Sequence, residues 1–174
     1  MGQMEKREIS REEVLKQLAA FDITGKDLYF IDYIPLIEMI WADGQAQQGE
    51  LDLFFQFIEK HVAHLNKMAG YAAFKLEEAV QFVSGFLKER PSPEMLKTLR
   101  NLAVCTTLCI ANKNGNYRAA LDKSLLALCI DIAASCVTEY PYGLHDRFNA
   151  AEKKCYFEIL DALENRKPAE VFEN

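Results

Sequence analysis

Two carboxylates, Asp43 and Glu50, flank a short polar loop in the stretch WADGQAQQGELDLFF. Calcium and magnesium bind oxygen ligands, and an acidic loop can supply several of them. The pair therefore predicts a site for a divalent cation. A structural interpretation stays open beside it. Gly44 suits the positive φ at which a helix closes, and Glu50, three residues after Gln47, lies where a carboxylate meets the free N–H groups of a helix start.

Two histidines, His61 and His64, are spaced i, i+3 on a helical pattern. This spacing can place two imidazoles on one zinc ion. The sequence supplies no third ligand, so a partly exposed pair of histidines without metal is the alternative.

Five cysteines occupy apolar positions of helical patterns, and their odd number and wide spacing do not predict a disulfide framework. We expect all five to be small core residues; they are Cys105, Cys109, Cys129, Cys136 and Cys155.

The sequence predicts no catalytic residue. It contains neither a phosphate-binding glycine loop nor an identifiable pair of nucleophile and base. We therefore expect a protein that is not an enzyme.

The stretch from Tyr140 to Asp146 combines two tyrosines, a histidine and an aspartate in a segment expected to be an exposed loop. Such loops often bind partners, so this stretch is the candidate contact with another protein.

The composition bounds the class of protein. At 174 residues the chain predicts one domain, residues 1–174, with a sizeable core. The formal charge of -6, from 26 acidic and 20 basic side chains, argues against nucleic acid as a partner. Apolar runs are interrupted by Asn112 and Asp131, and the stretch from Met1 to Arg11 is polar. We therefore expect neither membrane insertion nor a signal peptide, and a cytoplasmic location.

Helical periodicity runs along nearly the whole sequence and predicts an all-α fold of about seven main helices. Pro35 falls inside the second expected helix and should kink or divide it. Ser92 and Pro93 predict the cap and the first residue of the fifth helix. The second to sixth expected helices cover about 28–41, 49–64, 72–88, 93–111 and 117–138; the first begins at Ser10 and the last follows Asn149.

An internal repeat is suggested by alignment of Glu50 with Glu152. The alignment pairs ELDLFFQFIE with EKKCYFEILD, with two identities in ten positions. Each segment follows an apolar helix that carries an acid, Glu38 in one case and Asp131 in the other. The pattern predicts two related helical halves, about 28–66 and 117–164. Cys136 stands near the place that Asp43 occupies in the first half.

The motif Ala42-Asp43-Gly44, the polar loop and Glu50 at the head of an amphipathic helix resemble the tellurite-resistance TerB family. The resemblance implies an all-helical fold of two similar halves and a role in tellurite and general stress resistance without established catalysis. It also implies binding of a divalent metal ion by acidic residues. Transferred residue by residue, the metal ligands are Asp43, Glu50 and Glu152. The second half lacks the Asp-Gly turn, which departs from a symmetric pair of metal loops.

Two functions are therefore expected from the sequence. The first is a TerB-like stress-associated module that binds a divalent metal ion, whose addition should raise the melting temperature unless Asp43 is replaced by alanine. The alternative is a protein-interaction or scaffold domain without metal. An exposed apolar patch of more than a few hundred square ångströms would favour the alternative.

Overall fold

A computed structural model of the chain describes residues 11–110, 115–135 and 150–164. Within these ranges the chain forms seven α-helices and two 3-10 helices, and no strand. The predicted all-α fold is confirmed. The helices are α1 (Arg11–Ala19), α2 (Ile34–Ile40), α3 (Gln48–Ala69), α4 (Leu76–Leu87), α5 (Pro93–Ile110), α6 (Gly115–Ser135) and α7 (Ala150–Glu164), and the 3-10 helices are Gly25–Tyr29 and Ile31–Tyr33.

Helix α2 lies at the centre of the molecule. Six of its seven residues are buried, and it packs against α3, α4, α5, α6 and α7. A helix that is apolar on all sides has to be surrounded by other elements, because no face of it can be left to water. The exception is Glu38, the one charged residue of α2. Its carboxylate must therefore find polar partners inside the molecule.

The expected helix over 28–41 is divided, which is one of the two outcomes predicted for Pro35, but the break lies before the proline. Pro35 lies in the first turn of α2, and two short 3-10 helices precede it. A proline costs little at that position, since the first N–H groups of a helix have no intrahelical acceptor anyway. By contrast, the predicted start of α5 is confirmed: Ser92 Oγ accepts a hydrogen bond from the N–H of Met95 (3.1 Å), and the helix begins at Pro93.

The end of α1 is a hydrogen-bonded reversal centred on Asp22, whose φ is 61°. The N–H of Ile23 bonds to the carbonyl of Leu18 (3.1 Å), and that of Asp22 bonds to the carbonyl of Ala19 (3.0 Å). These two bonds define a Schellman motif, and its usual apolar pair is present because Ile23 and Leu18 are both buried. The reversal directs the following 3-10 helix toward the start of α4, and Lys26 Nζ donates to the carbonyl of Ala73, which lies before that helix (3.0 Å).

The proposed repeat pairs Glu50 with Glu152, and both are buried in the first turn of their helices, α3 and α7. The burial of the following turns is not the same. Phe54 is fully buried, whereas its aligned partner Tyr156 is only partly buried and the neighbouring Cys155 takes the buried position. The relation between the halves stays a prediction, and its second half includes residues 136–149, which lie outside the described residues.

None of the helices in the described ranges is long and apolar enough to cross a membrane.

Candidate functional site

The turn after α2 is closed by its own backbone. The N–H of Gly44 donates to the carbonyl of Trp41 (2.9 Å), and Asp43 Oδ1 accepts a hydrogen bond from the N–H of Gln45 (3.0 Å). Gly44 has a φ of 90°, and a Cβ there would lie 3.3 Å from Nη1 of Arg90. The positive φ predicted for Gly44 is therefore confirmed, and this glycine also permits the close approach of Arg90.

Glu50 is buried, with 1% of its surface exposed, and its Oε2 accepts a hydrogen bond from the N–H of Gln47 (2.7 Å). Glu78 makes the same bond to the N–H of Lys75 at the start of α4 (3.0 Å). A carboxylate at the third helical position that binds the cap N–H is the acidic half of a capping box. The structural interpretation of Glu50 is thus confirmed, because the same geometry recurs where the sequence predicts no metal.

The three predicted metal ligands lie in three different elements: Asp43 in the turn after α2, Glu50 in the first turn of α3 and Glu152 in the first turn of α7. Asp43 and Glu50 each accept a backbone N–H, and Glu152 is buried in the first turn of α7. Among the described residues, no group of three or more His, Cys, Asp or Glu side chains is placed to hold one metal ion. Because calcium takes six to eight oxygen ligands, these residues do not fit a preformed site. A metal-binding role for them stays a prediction.

His61 and His64 have different environments. His61 is buried, shares a hydrogen bond of 2.7 Å with the hydroxyl of Tyr33 through its Nδ1, and stacks on Phe57 with an interplanar angle of 9°. His64 is exposed. The expectation of a partly exposed pair is therefore wrong for His61, which is a core histidine. A spacing of three residues leaves the two side chains about 60° apart around the helix, and His64 falls outside the buried stripe that contains His61 and Leu65.

A buried ion cluster ties α2, α5 and α7 together. Arg100 Nη1 lies 2.9 Å from Glu38 Oε1 and 3.6 Å from Glu158 Oε2. The side chains of Arg100 and Glu38 are only 4% and 11% exposed, whereas that of Glu158 is 39% exposed. Sequence reasoning missed this cluster. Its one signal was a single charged residue in an otherwise apolar helix, which predicts a buried partner without naming it.

Burial raises the pKa of Glu38 to about 7, although Arg100 lowers it. Glu158 adds to the increase, because two carboxylates compete for one cation in a region of low dielectric constant. Glu38 Oε2 and Arg100 Nε have no hydrogen-bond partner among the described residues. Near pH 7 Glu38 is therefore partly protonated, and its contact with Arg100 is an ion pair only in the fraction of molecules in which Glu38 is ionised.

Two cysteines lie near this cluster and are free thiols. Burial, followed by the nearby Glu38 carboxylate, raises the pKa of Cys129 to about 12 and also raises that of Cys155. A thiol is nucleophilic only as the thiolate, so these two side chains act as packing groups. The expected core position is confirmed for both. The side chains of Cys105 and Cys109 and the whole of Cys136 lie outside the described residues.

An open groove lies between the end of α1 with its 3-10 helix, one face of α4, and the start of α5. Its cavity volume is about 620 Å³. Gly85 lies on this face of α4, and a Cβ added to it would meet no atom within 4 Å. The floor is apolar and the rim is charged. The floor consists of Phe21, Ile23, Phe82, Phe86 and Met95; the rim consists of Asp22, Lys26, Asp27, Glu78, Glu89 and Arg90.

The floor of the groove is held in place by the core beneath it. The ring of Phe82 lies 5.9 Å from that of the fully buried Phe30 and 5.4 Å from that of Phe86. Trp41 Nε1 donates to the carbonyl of Phe86 (3.0 Å) and so ties α4 to the end of α2. The aromatic floor is thus preformed. Sequence reasoning could not find this groove, because three distant segments build it.

The rim carries four carboxylates and two cations. One cation, Lys26, already bonds to Glu78 (3.3 Å) and to the carbonyl of Ala73. Burial, and then the charge of Glu78, raises the pKa of Asp27. The groove therefore has an acidic edge around an apolar floor. The other partner loop that the sequence suggested, Tyr140 to Asp146, lies outside the described residues.

Comparison of the chain with protein-family models, curated proteins and solved structures finds no match. The resemblance to the TerB family accordingly stays a prediction that rests on the loop after α2 and on the possible repeat.

Proposed function

We propose that this chain is a non-enzymatic binding module of the TerB-like type that takes up a segment of another protein in the groove between α1, α4 and α5. The observation that carries the proposal is the preformed apolar floor. Aromatic and methionine side chains in a concave site are the usual anchors of protein recognition. Here Phe82 and Phe86 lie one helical turn apart on α4, and Met95 faces them from α5.

The size of the groove supports the same function. Its volume of about 620 Å³ lies within the range typical of ligand-binding clefts. A segment with two or three apolar side chains would fill it and remove the floor from water. Such burial contributes about 25 cal/mol for each square ångström of apolar surface, which is the main driving force of association.

The hydrogen bonds of Asp43 and Glu50 favour a structural role in a binding module over a role in metal-assisted chemistry. Asp43 stabilises the turn after α2 and Glu50 the helix start that follows it, and Arg90 on the rim of the groove packs against Gly44 of that turn. The TerB-like motif would then serve as the support of a binding surface. The buried Glu38 and Arg100 do not line the groove.

Replacement of Gly85 by tryptophan tests the proposal. Gly85 is exposed on the groove face of α4, so the new side chain fills the groove without disturbing the core. Gly85→Ala is the matched control, since it should only stabilise the helix, by up to about 1 kcal/mol. The probes are fluorescent amphipathic helical peptides of about 18 residues, five turns, with one apolar stripe and a cationic, neutral or anionic polar face.

Fluorescence anisotropy should show that at least one of these peptides binds the wild type and Gly85→Ala. The same peptide should bind Gly85→Trp at least about tenfold more weakly, a difference of about 1.4 kcal/mol. The melting temperature of Gly85→Trp should stay at or above that of the wild type. Failure of all three peptides to bind, or equal binding to the tryptophan variant, would overturn the proposed function.

A further inference from the structure

The groove face of α4 has a regular arrangement. Glu78, Phe82 and Gly85 follow one another at steps of four and three residues, so they form one stripe on α4, and Glu89 lies two residues beyond the last residue of the helix, Leu87. The two carboxylates lie before and after the aromatic and glycine positions, Glu78 in the first turn of α4 and Glu89 just past its end, and both line the groove.

We infer that the partner segment is an amphipathic helix with Lys or Arg residues at both ends of its apolar stripe; this inference rests on the proposed use of the groove. A helix lying along α4 would place its apolar side chains on the aromatic floor, in the way that helices occupy grooves in many complexes. Gly85 lets the backbone of such a helix approach closely, because it presents no side chain.

Charge complementarity with the rim indicates that the partner carries positive charge. On the rim, Lys26 is already bonded to Glu78 and to the carbonyl of Ala73. Arg90 lies against the turn at Gly44. Three carboxylates, those of Asp22, Asp27 and Glu89, receive no hydrogen bond or ion pair from any other residue in ranges 11–110, 115–135 and 150–164. Cations from a partner would find these acids available.

The environment of Asp27 also favours a partner with positive charge. Partial burial and the nearby carboxylate of Glu78 disfavour its ionised form, and together they raise its pKa. A cation placed between Asp27 and Glu78 would offset the repulsion between the two carboxylates and so favour the ionised form of Asp27. An anionic partner would instead add a further like charge to a crowded acidic edge.

The test uses three peptides with the same apolar stripe, flanked at positions 11 residues apart by Lys, Gln or Glu, because Glu78 and Glu89 are 11 positions apart in the sequence. In low salt, the Lys peptide should bind the wild type at least about tenfold more tightly than the Glu peptide. At about 500 mM salt this preference should shrink, because exposed charges are screened. The affinity of the Gln peptide should change little.

The matched variants are a double substitution, Asp27→Asn with Glu89→Gln, and the control Glu77→Gln. Glu77 is exposed on α4 but does not line the groove. The double variant should lose most of the preference for the Lys peptide while it keeps the affinity for the Gln peptide. The control should behave as the wild type does.

The outcomes separate the two proposals. Equal binding of all three peptides, abolished by Gly85→Trp, would retain the proposed function and overturn the cationic partner. Binding of none would overturn both. Light scattering adds a further arm: a wild-type dimer that Gly85→Trp makes monomeric would show that a second copy occupies the groove, and the inference of a cationic helix would be wrong.

Discussion

Two clusters in this molecule have the same composition and different surroundings. Each contains two carboxylates and one cation: Glu38, Glu158 and Arg100 in the interior, and Asp27, Glu78 and Lys26 on the rim of the groove. Burial is the largest cause of the raised pKa of one carboxyl in each cluster. The cation, however, is 4% exposed in the interior and 56% exposed on the rim.

The comparison indicates that exclusion of water, and not the set of charges, determines what each cluster does. A buried ion pair that loses one partner leaves an uncompensated charge, which is strongly destabilising. An exposed pair is solvated and screened, and contributes at most about 1 kcal/mol. The interior cluster therefore acts as a tie between three helices, whereas the rim cluster can exchange its partners.

The largest difference should appear when the cation of each cluster is removed. Arg100→Met removes the cation that lowers the pKa of Glu38, so the buried carboxyl takes up a proton and loses its hydrogen-bond donor, and we expect a loss of about 3 kcal/mol in the free energy of unfolding at pH 7.5. The equivalent change on the rim, Lys26→Met, should cost less than about 1 kcal/mol. Urea unfolding followed by circular dichroism measures both.

A control for the loss of a long cationic side chain is Lys123→Met, because Lys123 is exposed within α6 and takes no part in either cluster. It should change the free energy of unfolding by no more than about 0.5 kcal/mol. Equal costs for Arg100→Met and Lys26→Met would contradict the distinction between the two clusters.

The second effect concerns the pH dependence of stability. The pKa of Glu38 is about 7 in the folded protein, against a reference value of 4.5. The folded state thus holds a proton that the unfolded chain releases. The contribution of protonated Glu38 to the free energy of unfolding is therefore complete below pH 4.5 and is lost as the pH rises through 7. The loss is about 3 kcal/mol. Glu38→Gln should lack this decrease, as measured by urea unfolding at intervals from pH 4.5 to 8.

The difference in free energy of unfolding between Glu38→Gln and the wild type should therefore increase steadily with pH in favour of the variant. Loss of the negative charge beside Arg100 shifts the whole curve but not its slope. Parallel curves for the two proteins would show that Glu38 ionises normally despite its burial.

Local signals in the sequence predict much of the fold and little of the site. Ser92 and Pro93 give the start of α5 correctly, because a cap and a first-turn proline depend only on neighbouring residues. Pro35 was placed in the middle of a helix because apolar residues continue on both sides of it. The boundary there depends on how residues 25–33 pack, which is a tertiary property.

Long-range pairing explains what sequence reasoning missed. Glu38 and Arg100 are 62 residues apart, and no periodicity relates them. The groove likewise combines segments around residues 21–27, 78–86 and 89–95. Conversely, Glu50 was correctly interpreted as a helix-start residue, because its bond to Gln47 spans only three positions.

The smallest expected effect is at Asp27, the rim counterpart of Glu38. Because the pKa of Asp27 is also raised, its ionisation should lower the free energy of unfolding as the pH rises. Asp27→Asn should remove this small loss. Solvent screening should keep the change below about 0.5 kcal/mol. If the rim is a binding surface, the cationic peptide should enlarge the difference between the wild type and Asp27→Asn, because its bound lysine favours the ionised form of Asp27. The affinity of that peptide for the wild type should then fall on acidification more than its affinity for Asp27→Asn, and equal pH profiles would place the lysine elsewhere.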